Sequence, residues 1–145
     1  MRQQGTHSRR LSVGLGALQV FIGLGALAGG WAFIADPTGA NLGMSVELLS
    51  RTPFPDFLIP GVVLFAVNGM GSLAGGIASF LRHRYAGEAA LCLGIFLMLW
   101  IAIQLAWIGF GLHWLHVLYF ILGLVEFVLG ILYRARAPRR ACPEF

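Results

Sequence analysis

Four long stretches of this chain are almost free of charged residues, and this feature limits the possible folds more than any other. They cover residues 11–35, 57–81, 88–110 and 113–133, and each reaches the roughly 20 apolar residues that a helix needs to cross a membrane. A transmembrane β-barrel would alternate apolar and polar residues, whereas the run from Leu91 to Trp100 does not alternate. The sequence therefore predicts an all-α, membrane-spanning protein with four helices.

The composition excludes most soluble classes of protein. Apolar residue types make up 58% of the chain and charged residues only 11%, whereas soluble domains carry about 25% charged residues. A chain of 145 residues cannot bury that much apolar surface from water. A disordered chain, a disulfide scaffold and an ordinary soluble enzyme are therefore excluded, and the lipid bilayer is the expected partner.

The basic residues, all of them arginines, predict the orientation in the membrane. Nine of the ten lie before the first span, between the second and third, or after the fourth, and the tenth, Arg51, lies between the first two spans beside acidic residues. Because arginine accumulates on the cytoplasmic side, both termini and the tail 134–145 are predicted to be cytoplasmic, and the loop 36–56 to be outside. The net charge of +4 then reflects membrane topology, and no nucleic-acid partner is expected.

Each predicted span carries one strongly polar residue: Gln19, Asn68, Gln104 and Glu126 in chain order. In the first, second and fourth spans, small residues recur on the same helical face as the polar residue. Such faces pack against other helices, because lipid provides no hydrophobic force between helices. The third span presents bulky residues that could fill the space beside them. We predict one antiparallel four-helix bundle whose packing glycines are Gly16, Gly23, Gly30, Gly71, Gly75, Gly123 and Gly130.

Two similar glycine-rich segments, 23–30 and 69–76, leave two interpretations open. They could be parts of an inverted repeat, as in secondary transporters. The simpler interpretation is two packing faces in a glycine-rich chain, and we favour it because no second segment extends the match.

Glu126 is the most informative single residue. It lies about 10 Å inside the cytoplasmic edge of the fourth span, at ~1.5 Å per residue from Tyr133. A carboxylate there costs about 2.5–3.5 kcal/mol, so burial favours the uncharged acid. Glu126 could be a proton or ligand site on the bundle axis, or a neutral acid that holds helices together by a hydrogen bond to Asn68 or Gln19.

A second group of polar and aromatic residues lies toward the outer side. Gln104 and Trp107 close the third span, and His113 and His116 open the fourth. Two histidines one turn apart could bind a metal, but no carboxylate or thiol accompanies them in sequence. Histidines in an interfacial aromatic belt are the more common outcome. We predict no metal, no cofactor and, since no catalytic motif is present, no enzyme.

The segment 52–61, Thr-Pro-Phe-Pro-Asp-Phe-Leu-Ile-Pro-Gly, is followed by Leu64-Phe65, by Val67-Asn68-Gly69 and by the connection 82–87. With these motifs the chain resembles a group of small bacterial four-span membrane proteins without an assigned function. In general shape it is also similar to DoxX-type four-helix proteins. The resemblance implies a four-helix protein of the bacterial inner membrane, and it supplies no catalytic residues.

Three functional hypotheses follow from the sequence. The first is a protein that acts through helix contacts, as an accessory subunit of a larger membrane complex or as a self-associating bundle. The alternative is a small-molecule or proton-coupled transporter or binding protein, with a polar pocket formed by Glu126, Asn68 and Gln19. The least favoured is an intramembrane enzyme or quinone-linked redox subunit that uses His113, His116 and Gln104.

Overall fold

Four helices make up most of the protein. The computed structural model describes residues 2–108 and 114–136, and the helices are α1 (Arg2–Ala35), α2 (Leu58–Phe80), α3 (Ala86–Ile108) and α4 (Trp114–Arg136). Each contains a stretch long and apolar enough to cross a membrane, and no strand occurs in the described ranges. The all-α, four-helix prediction is confirmed, and the chain is a multi-pass membrane protein.

The helices form an antiparallel bundle in which α1 packs against α2 and α4, and α3 packs against α4 and α2. A small apolar core forms between α1, α3 and α4, where Ile22 and Leu97 are almost completely buried and Leu122 packs against them. Large apolar side chains such as Phe21, Leu99 and Ile121 point away from the bundle. This is the arrangement expected when lipid surrounds the helices, since an outward apolar residue costs nothing there.

Helix α2 is not a regular α-helix along its whole length. It is α-helical over Leu58–Val63, π-helical over Leu64–Gly71 and α-helical again over Ser72–Phe80. π-Helical turns are rare and usually short, and they are frequent at functional sites. The segment buries Asn68 and Gly69 against the rest of the bundle. The π-helical turns thus interrupt a regular α-helix, while Asn68, the polar residue of this span, lies on the buried side.

The loop 36–57 folds onto one end of the bundle, which we call the outer end. The Asp36 carboxylate accepts hydrogen bonds from Thr38, and the turn continues through Gly39, whose φ of 79° suits a glycine. Two short 3₁₀ helices follow, Ala40–Leu42 and Val46–Leu49. Asp56 then accepts a hydrogen bond from the amide of Leu58, the first residue of α2, at 2.9 Å.

Aromatic side chains of this loop pack against the helices. Phe57 is 3% exposed, and its ring stacks on that of Phe33 of α1 with centroids 4.9 Å apart. Phe54 meets the edge of Trp107 of α3 at 5.9 Å. The loop therefore covers the outer end and contributes walls to the cavity there.

Candidate functional site

The three predicted packing glycines of α1 lie in close contact with α2. A methyl group at any of the three would come within 3.0 Å of an α2 residue: Gly16 of Phe80, Gly23 of Gly69, and Gly30 of Phe65. The two glycine-rich segments, 23–30 and 69–76, thus pack against each other over part of their length, where Gly23 meets Leu73 and Gly69 meets Leu27. This geometry matches the simpler interpretation of the sequence similarity, a shared packing face.

The other predicted packing glycines also lie between helices of the same chain. Gly71 and Gly75 face Leu93 of α3. Gly123 and Gly130 of α4 approach the backbone of α3, where an added methyl group would lie 3.2 Å and 3.1 Å from the carbonyl oxygens of Gly94 and Gly87. All seven predicted packing glycines therefore lie at contacts between helices of this chain.

Three helices are joined by a chain of buried hydrogen bonds, which we call the interior polar chain. The Ser12 hydroxyl of α1 donates to the Ser79 carbonyl of α2, and the Ser79 hydroxyl donates to Oε1 of Gln19 at 2.7 Å. Nε2 of Gln19 donates to Oε1 of Glu126 on α4 at 3.0 Å. None of these four side chains is more than 2% exposed.

The interior polar chain is suited to holding helices together. The Gln19 amide donates to Glu126 and accepts from Ser79, so it leaves no mobile proton between the hydroxyl and the carboxyl. Glu126 forms no ion pair with any described residue, and burial without a countercharge favours its uncharged form. Oε2 of Glu126 has no hydrogen-bond partner within the described ranges.

Asn68 lies outside the interior polar chain. It is 1% exposed, and its Nδ2 atom has no hydrogen-bond partner among the residues described. Of the two partners that the sequence suggested for Glu126, the structure therefore shows Gln19 and not Asn68.

A pocket of about 70 Å³ lies at the outer end, and we call it the outer pocket. All four helices and the loop contribute to it. Its walls are mainly aromatic and aliphatic, formed by Phe33, Met44, Leu49, Phe54, Phe57, Pro60, Leu64, Trp100, Ile103 and Trp107. Thr52, Gln104 and His116 supply polar groups, and no charged carboxylate or guanidinium group lines it in the part of the chain described.

Two side-chain nitrogen atoms from residues that line the outer pocket are buried without a hydrogen bond. They are Nε1 of Trp100 on α3 and Nδ1 of His116 on α4, and neither has a partner in residues 2–108 and 114–136. A buried polar group left unpaired costs about 1–3 kcal/mol, so the fold retains these groups at an energetic cost. An apolar pocket lined by a few residues with polar groups is typical of a ligand site.

The structure unites only part of the predicted outer group. Gln104, Trp107 and His116 line the same pocket, whereas His113 lies outside the described residues. No group of three or more His, Cys, Asp or Glu side chains suited to a metal occurs in the described ranges.

Sequence reasoning did not identify Trp100 as a site residue, because it interpreted this side chain as bulky filling beside Gln104. The helical spacing of Trp100 and Gln104 was the signal available.

The fold and these two clusters define a small multi-pass membrane protein with four helices, a hydrogen-bonded interior and a pocket at its outer end. No protein-family model, curated protein or solved structure matches the chain. The resemblance to small bacterial four-span proteins, and in shape to DoxX-type proteins, therefore stays a prediction.

Proposed function

We propose that the protein binds a small lipid-soluble molecule in the outer pocket. The observation that carries this proposal is that two residues lining one aromatic pocket, Trp100 and His116, each have a buried nitrogen atom without a hydrogen bond. An apolar pocket with a few convergent polar groups is the usual form of a small-molecule site. The protein is accordingly proposed to act as a binding protein, without a catalytic step.

The neighbourhood of Glu126 is a weaker candidate for this role. Its Oε1 atom is occupied by Gln19, and a methyl group added at Gly75 would come within 2.8 Å of the Gln19 amide nitrogen. Side chains of the same chain thus fill this part of the interior. The sequence-based hypothesis of a ligand site around Glu126, Asn68 and Gln19 has less geometric support than the outer pocket.

The size and position of the outer pocket limit what can enter. Its volume of about 70 Å³ is less than half of the ~150 Å³ of an engineered cavity that binds benzene. The pocket therefore has room for one edge or functional group of a ring, with the rest of the ligand projecting. Ile103 and Trp107 are 42% and 37% exposed at its rim on α3, so entry from the surrounding lipid is the proposed route.

Association with other membrane helices, as an accessory subunit or a homo-oligomer, stays a prediction. Its main argument in the sequence was the abundance of small-residue faces. Those faces are covered within the chain, where Gly23 meets α2 and Gly123 meets α3. Copurification from mild detergent would test it, and a lone monomer without a stoichiometric partner would count against it.

We further propose that the protein resides in the inner membrane of a bacterium with both termini cytoplasmic. The antiparallel helices bring Arg10, Arg82, Arg84 and Arg134 to the same end of the bundle, opposite the loop. This distribution supports the orientation through the preference of arginine for the cytoplasmic side. The resemblance noted above supports the bacterial origin.

A hydrocarbon probe tests the proposed pocket. α-Methylstyrene carries one aromatic ring and a short branched substituent, so it can place one edge in the pocket. A ligand at 100 times its dissociation constant stabilises the folded state by about 2.7 kcal/mol. The probe should raise the unfolding temperature of the protein in lipid nanodiscs.

Two leucine variants separate the pocket from general uptake by lipid. Leu64→Phe adds a ring to the pocket wall, whereas Leu99→Phe adds the same ring on the lipid-facing side, where Leu99 is 57% exposed. The proposal expects stabilisation by the probe in the wild type and in Leu99→Phe, and little in Leu64→Phe. Equal stabilisation of all three proteins, or of none, would contradict it.

A further inference from the structure

We infer that the ligand of the outer pocket is an uncharged molecule that carries a hydrogen-bond acceptor, such as a carbonyl oxygen, and that Trp100 donates its indole N–H to that acceptor. This inference rests on the proposed function, since it specifies the chemistry of the same site. It follows from the donor inventory of the pocket, from its lack of charge and from the position of its unpaired atoms.

The indole of Trp100 determines the polarity of the ligand group. An indole nitrogen can only donate a hydrogen bond and never accepts one. Nε1 of Trp100 is buried in the pocket wall and has no acceptor among the described residues. A bound molecule satisfies this nitrogen only with an acceptor atom, so a pure hydrocarbon would leave it unpaired.

His116, on the facing helix, is compatible with such an acceptor. Its Nδ1 atom is also buried without a partner in the described part of the chain, and it lines the same pocket from α4 while Trp100 lines it from α3. A neutral imidazole nitrogen donates or accepts according to its tautomer, so His116 can pair with a carbonyl or with a hydroxyl. The polar end of the ligand is therefore placed where α3 meets α4.

The remaining walls exclude a charged ligand. The ring stack of Phe33 and Phe57 and the edge contact of Phe54 with Trp107 border the pocket. No carboxylate or guanidinium group among the described residues lines it, so an ionised head group would be buried without a countercharge. Fatty-acid carboxylates and phospholipid head groups are disfavoured for this reason, whereas a neutral ketone or ester meets both conditions.

A matched pair of probes tests the inference in the complete protein. Acetophenone and α-methylstyrene have nearly the same shape, and they differ in that a carbonyl oxygen replaces a methylene group. Titration of each into nanodisc-embedded protein gives two dissociation constants. One net hydrogen bond corresponds to roughly threefold to tenfold tighter binding of acetophenone.

Nuclear magnetic resonance of the indole N–H groups provides a readout that needs no variant. Acetophenone should move the Trp100 indole proton resonance downfield, as a new hydrogen bond does, and α-methylstyrene should not. The Trp31 resonance should not move with either probe, because Trp31 is 61% exposed on α1 and lies outside the pocket lining.

Variants of the two tryptophans complete the test. Trp100→Phe should bring the affinity ratio of the two probes close to one, and Trp31→Phe should leave the wild-type ratio. If the wild type binds both probes equally and the Trp100 proton does not move, this inference fails while the proposed function stands. If neither probe binds, the proposed function fails and the inference fails with it.

Discussion

Replacing Gln19 by leucine removes the central member of the interior polar chain. Two hydrogen bonds are lost, one from the Ser79 hydroxyl and one to the Glu126 carboxyl, and both remaining groups stay buried. Hydrogen bonds between membrane helices are worth about 0.6 kcal/mol on average and about 1.7 kcal/mol at most. For two bonds we expect Gln19→Leu to lower the free energy of unfolding by roughly 1 to 3 kcal/mol.

The partner substitutions should behave differently. Glu126→Gln preserves an acceptor for the Gln19 amide, so its cost should stay within about 0.6 kcal/mol. Glu126→Leu leaves the Gln19 amide nitrogen unpaired but also removes a buried carboxyl, so its net cost should be small, roughly 1 kcal/mol or less. In the double variant, Gln19→Leu with Glu126→Leu, only Ser79 lacks its partner. Its loss in free energy of unfolding should be smaller than the sum of the two single losses by about 1 kcal/mol.

Reversible unfolding in mixed micelles of a mild detergent and sodium dodecyl sulfate, followed by circular dichroism, provides the free energies of unfolding of the wild type and the four variants. Glu126→Gln is the matched control, because it removes the ability of the side chain to ionise without changing its shape. The reasoning would be refuted if the single effects simply added to within about 0.3 kcal/mol, or if Glu126→Gln were as costly as Gln19→Leu.

Three further predictions concern the packing, the loop and the orientation. Gly30→Ala should destabilise the bundle by about 1–3 kcal/mol in the same unfolding assay, because its methyl group would press on the α2 backbone. Gly14→Ala is the control and should be neutral or stabilising, because no atom lies within 4 Å of the added methyl group. Equal effects of the two substitutions would contradict the close packing. Hydrogen bonds to the Asp36 carboxylate, first of all the one from the Thr38 side chain, hold the pKa of Asp36 below its ordinary value of 3.8. The stability that these bonds give the turn is therefore fully present above pH 3.8 and is lost as the pH falls through the lower pKa of the folded state. Carboxyl carbon resonances measured against pH should show the Asp36 pKa rising toward 3.8 in Thr38→Ala, and an unchanged titration would argue against these bonds. With the native cysteines replaced, an impermeant maleimide should label Thr38→Cys in intact cells and Arg82→Cys only after permeabilisation, and the reverse pattern would invert the proposed topology.

The helices could be predicted from the sequence because their signal is local. A stretch of about 20 apolar residues has few alternatives in a chain with so little charge. The start of α2 also has a local cause, because Asp56 accepts a hydrogen bond from the Leu58 amide and Pro60 lies in the first turn, where its missing N–H costs little. Local chemistry thus determined where the helices lie and how α2 begins.

The irregular turn of α2 was not predictable in the same way. The residue types of the eight-residue segment Leu64–Gly71 carry no local signal that separates a π-helical turn from an α-helical one. The choice between them depends on contacts with α1, where a methyl group at Gly69 would come within 2.7 Å of Leu27. Such close approaches belong to the assembled bundle.

The partner of Glu126 is a similar case. Gln19 and Asn68 both lie on interior faces, and their sequence positions suggested either as a partner. The structure pairs Glu126 with Gln19 across 107 positions of sequence, with Ser79 supporting Gln19 from α2. That selection depends on the relative heights and rotations of three helices, which no pattern within one helix specifies.

The outer pocket was visible to sequence reasoning only in part. Gln104, Trp107 and His116 were grouped because they lie near a common helix end. Leu49 and Phe57 of the loop join them only through folding of the loop onto the bundle. A cavity with walls from five segments has no signature in any one of them.

The account depends most on whether the outer pocket holds a molecule that satisfies the Trp100 nitrogen. An experimental structure of the protein, extracted with its native lipids into nanodiscs and determined at a resolution that shows small molecules, would test this directly. The account expects non-protein density in the pocket, with an acceptor atom at hydrogen-bond distance from Nε1 of Trp100 and close to Nδ1 of His116. A pocket closed by the protein's own side chains, with both nitrogens bonded to protein groups, would contradict it.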